Sequence, residues 1–296
     1  MAYSIQDLVR LLELEPLELN IYRGLNRDIG TGRIFGGQVL AQALVAARRT
    51  VDEEDRTVHS LHGYFILAGD LDIPVVYFVD RLRDGRSYST RRVTAIQHGR
   101  AIFNMAASFH RPEEGLSHQA DMPEVPGPQG LPSELEIVRE KQDQIPKSLR
   151  GLLTQDRPLD FRPVEAWDPF DTALGPAIRR TWIKTVGTLS DDSLHHQAVL
   201  AYASDYGLLD TALGPHGRSV RDGRVMAASL DHAIWFHRPF RADEWMLYVK
   251  DAPVTFGGRG FSRGSFYTQG GTLVASVAQE GVLRVADPSR RGGPGS

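Results

Sequence analysis

An apolar segment occurs twice in this chain. The alanine- and leucine-rich stretch GGQVLAQAL at 36–44 returns as QAVLAYAS at 197–204, so that Val199 and Ala203 align with Val39 and Ala43. Both stretches lack proline and are long enough to form a buried helix. Self-similarity over this distance predicts two tandem copies of one structural unit.

Runs with strand character follow each copy of the apolar segment. These runs are 57–67 and 73–110 in the first half, and 225–237 and 245–284 in the second half. Hairpin signals interrupt them at 84–85, 98–99, 257–258 and 270–271. Each half is therefore predicted to hold one strand, a long helix and an antiparallel meander of about four strands. Because such a helix buries its alanine-rich face on the sheet, we predict α+β units in which the sheet wraps around the helix.

A proline-dense stretch separates the two halves. It covers 112–165 and indicates a linker with one short helix near 133–143. We therefore predict an N-terminal domain at 1–111 and a C-terminal domain at 166–286. The Gly/Pro/Ser/Arg-rich residues 287–296 are predicted to form a disordered tail.

Composition excludes several classes of protein. The 296 residues include no cysteine, which removes disulfide frameworks, thiolate zinc sites and a cysteine nucleophile. A net charge of −3 argues against a strongly basic nucleic-acid-binding protein. The N-terminal residues lack the pattern of a secretory signal, and no stretch approaches the length of about 18 apolar residues that a membrane-spanning helix needs. We expect a cytoplasmic protein with no membrane or nucleic-acid partner.

The motif Gly-x-Ser-x-Gly occurs at 260–264, as in the nucleophile elbow of serine hydrolases. An elbow needs a helix after the serine and a histidine later in the chain. Here a hairpin is predicted after Ser262, and the last histidine is His237. We therefore expect Ser262 to be a solvent-facing residue of a glycine-rich strand.

Histidine pairs at 59/62, 195/196 and 232/237 raise the question of a metal site. Residues i and i+3 of a strand point to opposite faces, so His59 and His62 are poorly placed to share an ion. The sequence supplies no evident third ligand for any pair. We predict structural or surface histidines and no bound metal.

Polar residues interrupt otherwise apolar segments of the second half. They are Asp205 in the predicted helix, Ser229 and Asp231 in the next strand, and Gln279 in the last strand. At the positions equivalent to Asp205 and Gln279, the first half has the apolar Val45 and Ala107. A buried polar group without a partner costs about 1–3 kcal/mol, so an asymmetric polar cluster in a repeated core is a candidate site. Exposure of these side chains to solvent is the alternative.

Several of these motifs, in order, resemble the acyl-CoA thioesterase II family over roughly residues 20–286. They are FGGQVLAQAL and TVHSLHGYFILAGD in the first half, and ASDYGLLDTALGPHG, MAASLDHAIWFHRPFRADEWMLY and RGFSRGSFYTQGGTLVASVAQEGVLR in the second. The resemblance implies a tandem, or double, hot dog fold and the hydrolysis of fatty acyl-CoA to fatty acid and CoA, within lipid metabolism. It also implies a homo-oligomer, a dimer or tetramer of double hot dogs. No cofactor is expected, since CoA is part of the substrate.

The resemblance also carries a catalytic set. It matches the family's aspartate to Asp205, its hydroxyl residue to Ser229 and its glutamine to Gln279. Well-known bacterial members have threonine where this chain has Ser229, which keeps the hydroxyl but has more rotamer freedom. We expect Asp205 to act as general base on a water that the other two side chains orient. A helix N-terminus near Gly37 is a candidate for polarising the thioester oxygen.

Other polar residues have weaker claims to a role. His59 could assist proton transfer, although a structural hydrogen bond is the preferred interpretation. The phosphates of CoA should meet arginines, and Arg238, Arg259 and Arg263 lie near the family motifs without one of them standing out.

Two other functions stay open. Hot dog enoyl-CoA hydratases use an Asp/His pair on one short segment, for which Asp210 and His216 are candidates, although their spacing departs from that of the hydratases. A non-catalytic acyl-CoA-binding module is the second alternative, supported only by the change to serine at position 229.

Overall fold

A thirteen-stranded sheet runs through the computed structural model, which describes residues 3–30, 32–145, 147–168, 174–218 and 225–285. The first-half strands are β1 (Glu15–Glu18), β2 (Ile21–Gly24), β3 (Thr57–Phe65), β4 (Val75–Asp84), β5 (Tyr88–Gln97) and β6 (Arg100–His110). The second-half strands are β7 (Leu159–Pro163), β8 (Ile178–Thr185), β9 (Val225–Ser229), β10 (Asp231–Phe236), β11 (Met246–Phe256), β12 (Arg259–Thr268) and β13 (Leu273–Val285). The α-helices are α1 (Ile5–Leu12), α2 (Gly36–Arg48), α3 (Glu134–Glu140), α4 (Lys147–Leu153) and α5 (Ser193–Ser204), and 3₁₀ helices cover Gln142–Gln144 and Leu209–His216.

The two halves of the sheet mirror one another. The strand order is β1-β2-β4-β5-β6-β3-β10-β13-β12-β11-β8-β7, with β9 also paired to β13. The halves join where β3 pairs antiparallel with β10, with Tyr64 opposite Asp231 and Ser60 opposite Trp235. Two strands precede the long helix of each half, rather than the one expected from the sequence.

The two long helices form the centre of the fold. Nearly every residue of α2 is buried, and so are most residues of α5, because most residues of these helices are apolar. One continuous hydrophobic cluster contains both helices and the inner-face residues of both halves of the sheet. The predicted tandem hot dog fold, with a helix wrapped by sheet in each repeat, is confirmed.

The proline-dense segment is more structured than the sequence indicated. The helix α3 lies within the expected range 133–143, and β7 near the end of the segment pairs with β8. Residues before α3 pack on the sheet face away from the long helices, where the indole of Trp182 donates to the carbonyl of Pro126 at 2.8 Å. The boundaries drawn at 111 and 165 stay predictions.

The glycine-containing turns form hairpins as expected. His98 and Gly99 between β5 and β6, and Gly257 and Gly258 between β11 and β12, all have positive φ, as tight hairpin turns require. The tail 287–296 lies outside the described residues. In the described part of the chain, no helix is long and apolar enough to cross a membrane.

Candidate active site

Asp205, Ser229 and Gln279 meet in one cluster. The amide nitrogen Nε2 of Gln279 lies 2.7 Å from Oδ1 of Asp205 and 2.7 Å from Oγ of Ser229. An amide nitrogen carries two protons, so Gln279 donates one to the carboxylate and one to the hydroxyl. Gln279 is buried, whereas the other two side chains are half-buried.

The end of α5 positions the carboxylate. Asp205 is the C-cap of this helix, one residue beyond its last turn, and not an interior residue as the sequence indicated. Its backbone stays in the right-handed helical region, while its N–H bonds to the carbonyl of Ala203. The side chain can therefore leave the helix and reach the sheet.

A break between β9 and β10 positions the hydroxyl. Ser229 ends β9, and Leu230 separates it from β10, where the sequence predicted one continuous strand. The residue after the break, Asp231, turns its carboxylate to the backbone N–H of Glu280 at 2.6 Å. Burial raises the pKa of Asp231 above its ordinary value. Asp231 therefore bonds to the backbone of β13 and takes no part in the hydrogen bonds that join Asp205, Ser229 and Gln279.

Two glycines of the first half complete the site. The backbone N–H of Gly37, in the first turn of α2, donates to Oδ2 of Asp205 at 2.9 Å. A Cβ on Gly36 would lie 2.8 Å from that same oxygen, and a Cβ on Gly37 would lie 2.4 Å from the carbonyl oxygen of Tyr202. The paired glycines thus let the start of α2 approach the end of α5. The N-cap residue Phe35 makes no side-chain cap, so the Asp205 carboxylate serves as one.

This contact changes the role expected for Gly37. Its N–H was a candidate for polarising the thioester oxygen, but it is bonded to Asp205 instead. The sequence predicts a glycine-rich start of α2, but the group that binds this helix start is Asp205, from the other half of the chain. The site therefore draws on both halves, although its three polar side chains come from the second.

A neutral polar network lies behind the carboxylate. His232 is fully buried, and its Nε2 lies 2.8 Å from the hydroxyl of Ser204. Burial lowers the pKa of His232 to about 4, and the nearby charge of Asp205 opposes this shift only in part. Tyr248 donates its hydroxyl proton to the carbonyl of Ser204 at 2.8 Å. These contacts hold the last turn of α5 in place. The sequence analysis did not predict them.

Aromatic rings enclose another side of the site. Tyr206 follows Asp205 in the chain, and its ring lies 4.6 Å from that of Phe35 and 5.2 Å from that of Phe161, measured between centroids. Burial raises the pKa of Tyr206 well above its usual range. Phe35 directly precedes the glycines at the start of α2, so these rings pack next to the contact between α2 and α5.

Ser262 is buried, which overturns the expectation that it faces solvent. Its exposed fraction is 0%, and it pairs with Gln279 in the register of β12 and β13. Phe266 shares the strand parity of Ser262 and is buried, whereas Arg263 has the opposite parity and is exposed. The alternation of buried and exposed residues along this strand could have predicted that Ser262 is buried. The residues two positions away on either side, Gly260 and Gly264, have no side chains and so do not show which face is buried.

The remaining sequence candidates have other partners. His59 lies 2.8 Å from the hydroxyl of Ser108, and burial lowers its pKa. Arg259 pairs with Glu280 at 2.9 Å. Arg263 pairs with Asp251 at 2.5 Å, and Arg238 donates to the carbonyl of Leu273 at 3.1 Å. Asp210 and His216 both lie in the 3₁₀ helix Leu209–His216. Within the described ranges, no group of three His, Asp or Glu residues could hold a metal ion.

The cluster has the groups needed to activate a water. A carboxylate has about four lone-pair positions, and the bonds from Gln279 and Gly37 use two of them. A water that donates to Asp205 and meets the Ser229 hydroxyl would be oriented by groups already held in place.

Comparisons with known proteins show the family of the chain. Residues 148–282 match the family described as acyl-CoA thioesterase, and residues 25–110 match the acyl-CoA thioesterase N-terminal domain. The chain is 39% identical to acyl-CoA thioesterase 2 of Haemophilus influenzae, over 97% of this chain and 100% of the relative. It is 40% identical to human acyl-coenzyme A thioesterase 8, over 93% of this chain and 88% of the relative.

A solved structure matches over the same extent. The acyl-CoA thioesterase II of Mycobacterium marinum superposes with a TM-score of 0.76 at 40% sequence identity, over 95% of this chain and 98% of the other. The similarity therefore includes both repeats and the segment between them.

Proposed function

Because the chain belongs to the acyl-CoA thioesterase family, whose members hydrolyse thioesters, we propose that it cleaves fatty acyl-CoA through a water held by Asp205, Ser229 and Gln279. The products are a free fatty acid and CoA. No covalent enzyme intermediate is required, since a thioester carbonyl is electrophilic enough for an oriented water to attack.

The proposed reaction has two steps. The water oxygen attacks the carbonyl carbon while Asp205 takes one of the water's protons, giving a tetrahedral intermediate. The carbon–sulfur bond then breaks, the carbonyl re-forms, and the CoA sulfur leaves with the proton that Asp205 held. Asp205 thus returns to its ionised state, and the sum is water plus thioester giving acid plus thiol.

Ser229 and Gln279 orient the reacting groups in this proposal. Gln279 holds Asp205 and Ser229 at fixed positions through its two 2.7 Å hydrogen bonds. The Ser229 hydroxyl accepts from Gln279, so its own proton can be directed to the lone pair of the water. This arrangement fixes the direction of attack, which converts a solvent molecule into an oriented nucleophile.

The shared amide of Gln279 carries the proposal. It joins residues far apart in the sequence, and each of its donors meets a group that the mechanism requires. The experiment is to supply acyl-CoA of several chain lengths and measure released CoA with a thiol-reactive dye. Since the protein has no cysteine, it does not react with the dye itself. Release of CoA in proportion to enzyme is expected, and no release across the series would contradict the proposal.

The alternatives lack a comparable observation. Asp210 and His216 lie at opposite ends of the 3₁₀ helix Leu209–His216, and Asp210 is its second residue. The hydroxyl of Ser229 accepts a hydrogen bond from Gln279, which is the contact that the proposed mechanism needs. The presence of serine rather than threonine at this position therefore gives no support to a non-catalytic protein. Binding of acyl-CoA without release of thiol would favour the non-catalytic module, and hydration of an enoyl-CoA would favour the hydratase.

Several expectations stay predictions. The cytoplasmic location and the homo-oligomer of double hot dogs are tested by cell fractionation and by light scattering of the purified protein. The expectation that no cofactor is needed is tested by measuring turnover of protein treated with chelator and dialysed. The same dye assay gives the preferred chain length.

A further inference from the structure

We propose that Ser262 is a positioning residue for Gln279, donating its hydroxyl proton to the amide oxygen Oε1 and so holding the amide in its working orientation. This inference rests on the proposed function, because it assigns Ser262 a role through Gln279. It gives the Gly-x-Ser-x-Gly motif a purpose other than a nucleophile elbow.

Two polar atoms on neighbouring strands carry the argument. Among the described residues, Oγ of Ser262 and Oε1 of Gln279 are both buried side-chain atoms without a hydrogen-bond partner. The two residues are direct partners in the antiparallel pairing of β12 with β13. Buried polar atoms in proteins are almost always hydrogen-bonded, so two such atoms on one rung are natural partners.

Complementary chemistry supports the pairing. Gln279 uses its nitrogen for Asp205 and Ser229, so its remaining polar atom can only accept a hydrogen bond. A serine hydroxyl can donate one. Directly opposed residues on antiparallel strands have Cβ atoms about 4.5–5.5 Å apart, and rotation about the Cα–Cβ bond of Ser262 turns its hydroxyl to the glutamine.

Closely packed side chains flank Ser262 along its strand. A Cβ on Gly260 would lie 2.6 Å from the side chain of Leu283, and a Cβ on Gly264 would lie 2.3 Å from the ring of Tyr248. The Tyr248 hydroxyl already donates to the carbonyl of Ser204. Across the rung, the amide oxygen of Gln279 is a buried acceptor without a partner.

The consequence is a precise orientation of the amide. A glutamine side chain has three rotatable bonds, and a third hydrogen bond restricts the motion that the first two permit. When Gln279 moves, both Asp205 and Ser229 lose their alignment, so the effect falls on the chemical step. We expect Ser262→Ala to lower kcat by about three- to tenfold with KM nearly unchanged.

The test is a double-mutant cycle of Ser262→Ala with Gln279→Ala, each with its melting temperature. Ser262→Ala should reduce kcat in the wild-type background and have no further effect in the Gln279→Ala background. Ser262→Thr, which keeps the hydroxyl, should restore most of kcat. Ser265→Ala is the matched control on the same strand, because Ser265 has the opposite parity and faces away from the site. Ser262→Ala should also lower the melting temperature slightly, because it leaves the buried amide oxygen of Gln279 without a donor, whereas Ser265→Ala should not.

The outcomes separate this inference from the proposed function. An unchanged kcat for Ser262→Ala, or an equal loss in both backgrounds, overturns the role of Ser262 while Gln279→Ala still reports on the mechanism. An acyl group found on Ser262 by mass spectrometry of the wild-type enzyme would also overturn it, in favour of a nucleophile. A wild-type kcat for Gln279→Ala would reject the proposed mechanism itself, and the inference with it.

Discussion

The backbone N–H of Gly37 lies 2.9 Å from the carboxylate oxygen of Asp205, although 168 residues separate them in the sequence. The first repeat supplies a helix start and the second supplies a helix end, and the two meet at the site. Asp205 thereby caps the start of α2, whose N-cap residue makes no side-chain hydrogen bond of its own. Changes at this contact should affect both stability and catalysis.

The first prediction concerns Gly37 itself. In Gly37→Ala the new methyl group would lie 2.4 Å from the carbonyl oxygen of Tyr202, so α2 and α5 must separate. We expect the free energy of unfolding to fall by about 1–3 kcal/mol and kcat to fall with it. Denaturant unfolding and the dye assay measure the two effects. Gly115→Ala is the control, since a Cβ at Gly115 meets nothing within 4 Å; equal stability of the two variants would refute the close contact.

The second prediction concerns the proposed base. Asp205→Asn keeps the shape of the side chain and removes its capacity to take a proton at neutral pH. We expect kcat to fall by about 10²–10⁴-fold while circular dichroism shows a folded protein. Asp231→Asn is the matched control, because its carboxylate bonds to the N–H of Glu280, and it should keep near-wild-type turnover. Comparable activity of both variants would remove Asp205 from the mechanism.

The third prediction tests the hydroxyl. Ser229→Ala deletes the acceptor that lies 2.7 Å from the Gln279 amide, so one donor of Gln279 loses its partner. We expect kcat to fall by about tenfold, whereas Ser229→Thr should stay close to wild type because it keeps the hydroxyl. Steady-state kinetics on one acyl-CoA decides between the two. Full activity of the alanine variant would mean that the water is held without this side chain.

The fourth prediction introduces a second carboxylate. Gln279→Glu replaces a donor to Asp205 with a like charge, and two carboxylates that share a site cannot both ionise easily. The pKa of the pair's second ionisation rises, so the base stays protonated to a higher pH. We expect a lower kcat and an acidic limb of the pH–rate profile that moves to higher pH than in the wild type. An unmoved limb would show that position 279 does not contact the base.

The candidate cluster was predictable from the sequence because polar residues stand out in apolar segments. Asp205 and Gln279 interrupt such segments, and their first-half equivalents are apolar. Their roles came from the family resemblance, and the structure adds their distances. The contact of Asp205 with Gly37 was not predictable, since no local pattern states which helix ends meet across a repeat.

Errors in the sequence interpretation have physical causes. Ser262 was expected at the surface because its neighbours Gly260 and Gly264 have no side chains that mark a face. The break at Leu230 was missed because the residues on both sides favour strands. Both β9 and β10 pair with β13, and their register differs by one residue, with Ser229 opposite Gly281 and Ala233 opposite Ala278. Both errors concern the face or the register that a strand takes, which tertiary packing decides.

The fifth prediction concerns stability and pH. His232 is buried and neutral, with a pKa lowered to about 4 from a usual value near 6.5. Between these values the unfolded chain binds a proton that the folded chain does not, so the free energy of unfolding falls as pH drops from about 6.5 towards 4. The contribution of this group to the fall is roughly 3 kcal/mol. Urea unfolding at several pH values measures it.

His232→Gln supplies the comparison for this prediction. An amide keeps a partner for the Ser204 hydroxyl and does not titrate in this range. The variant should therefore lose less stability than the wild type between pH 7 and pH 4. Parallel curves for the two proteins would show that His232 does not account for the acid sensitivity.

The pairing of β3 with β10 at the junction between the repeats bears on the solubility of the protein. The strand β3 has β6 on one side and β10 on the other, and β10 in turn has β13. A fragment ending after the first repeat would leave one long side of β3 with unsatisfied backbone groups, and such a bare edge recruits strands from other molecules. Fusion of the repeats places the complementary strand on the same polypeptide, at a local concentration that no free fragment could match, and so guards the newly made chain against aggregation.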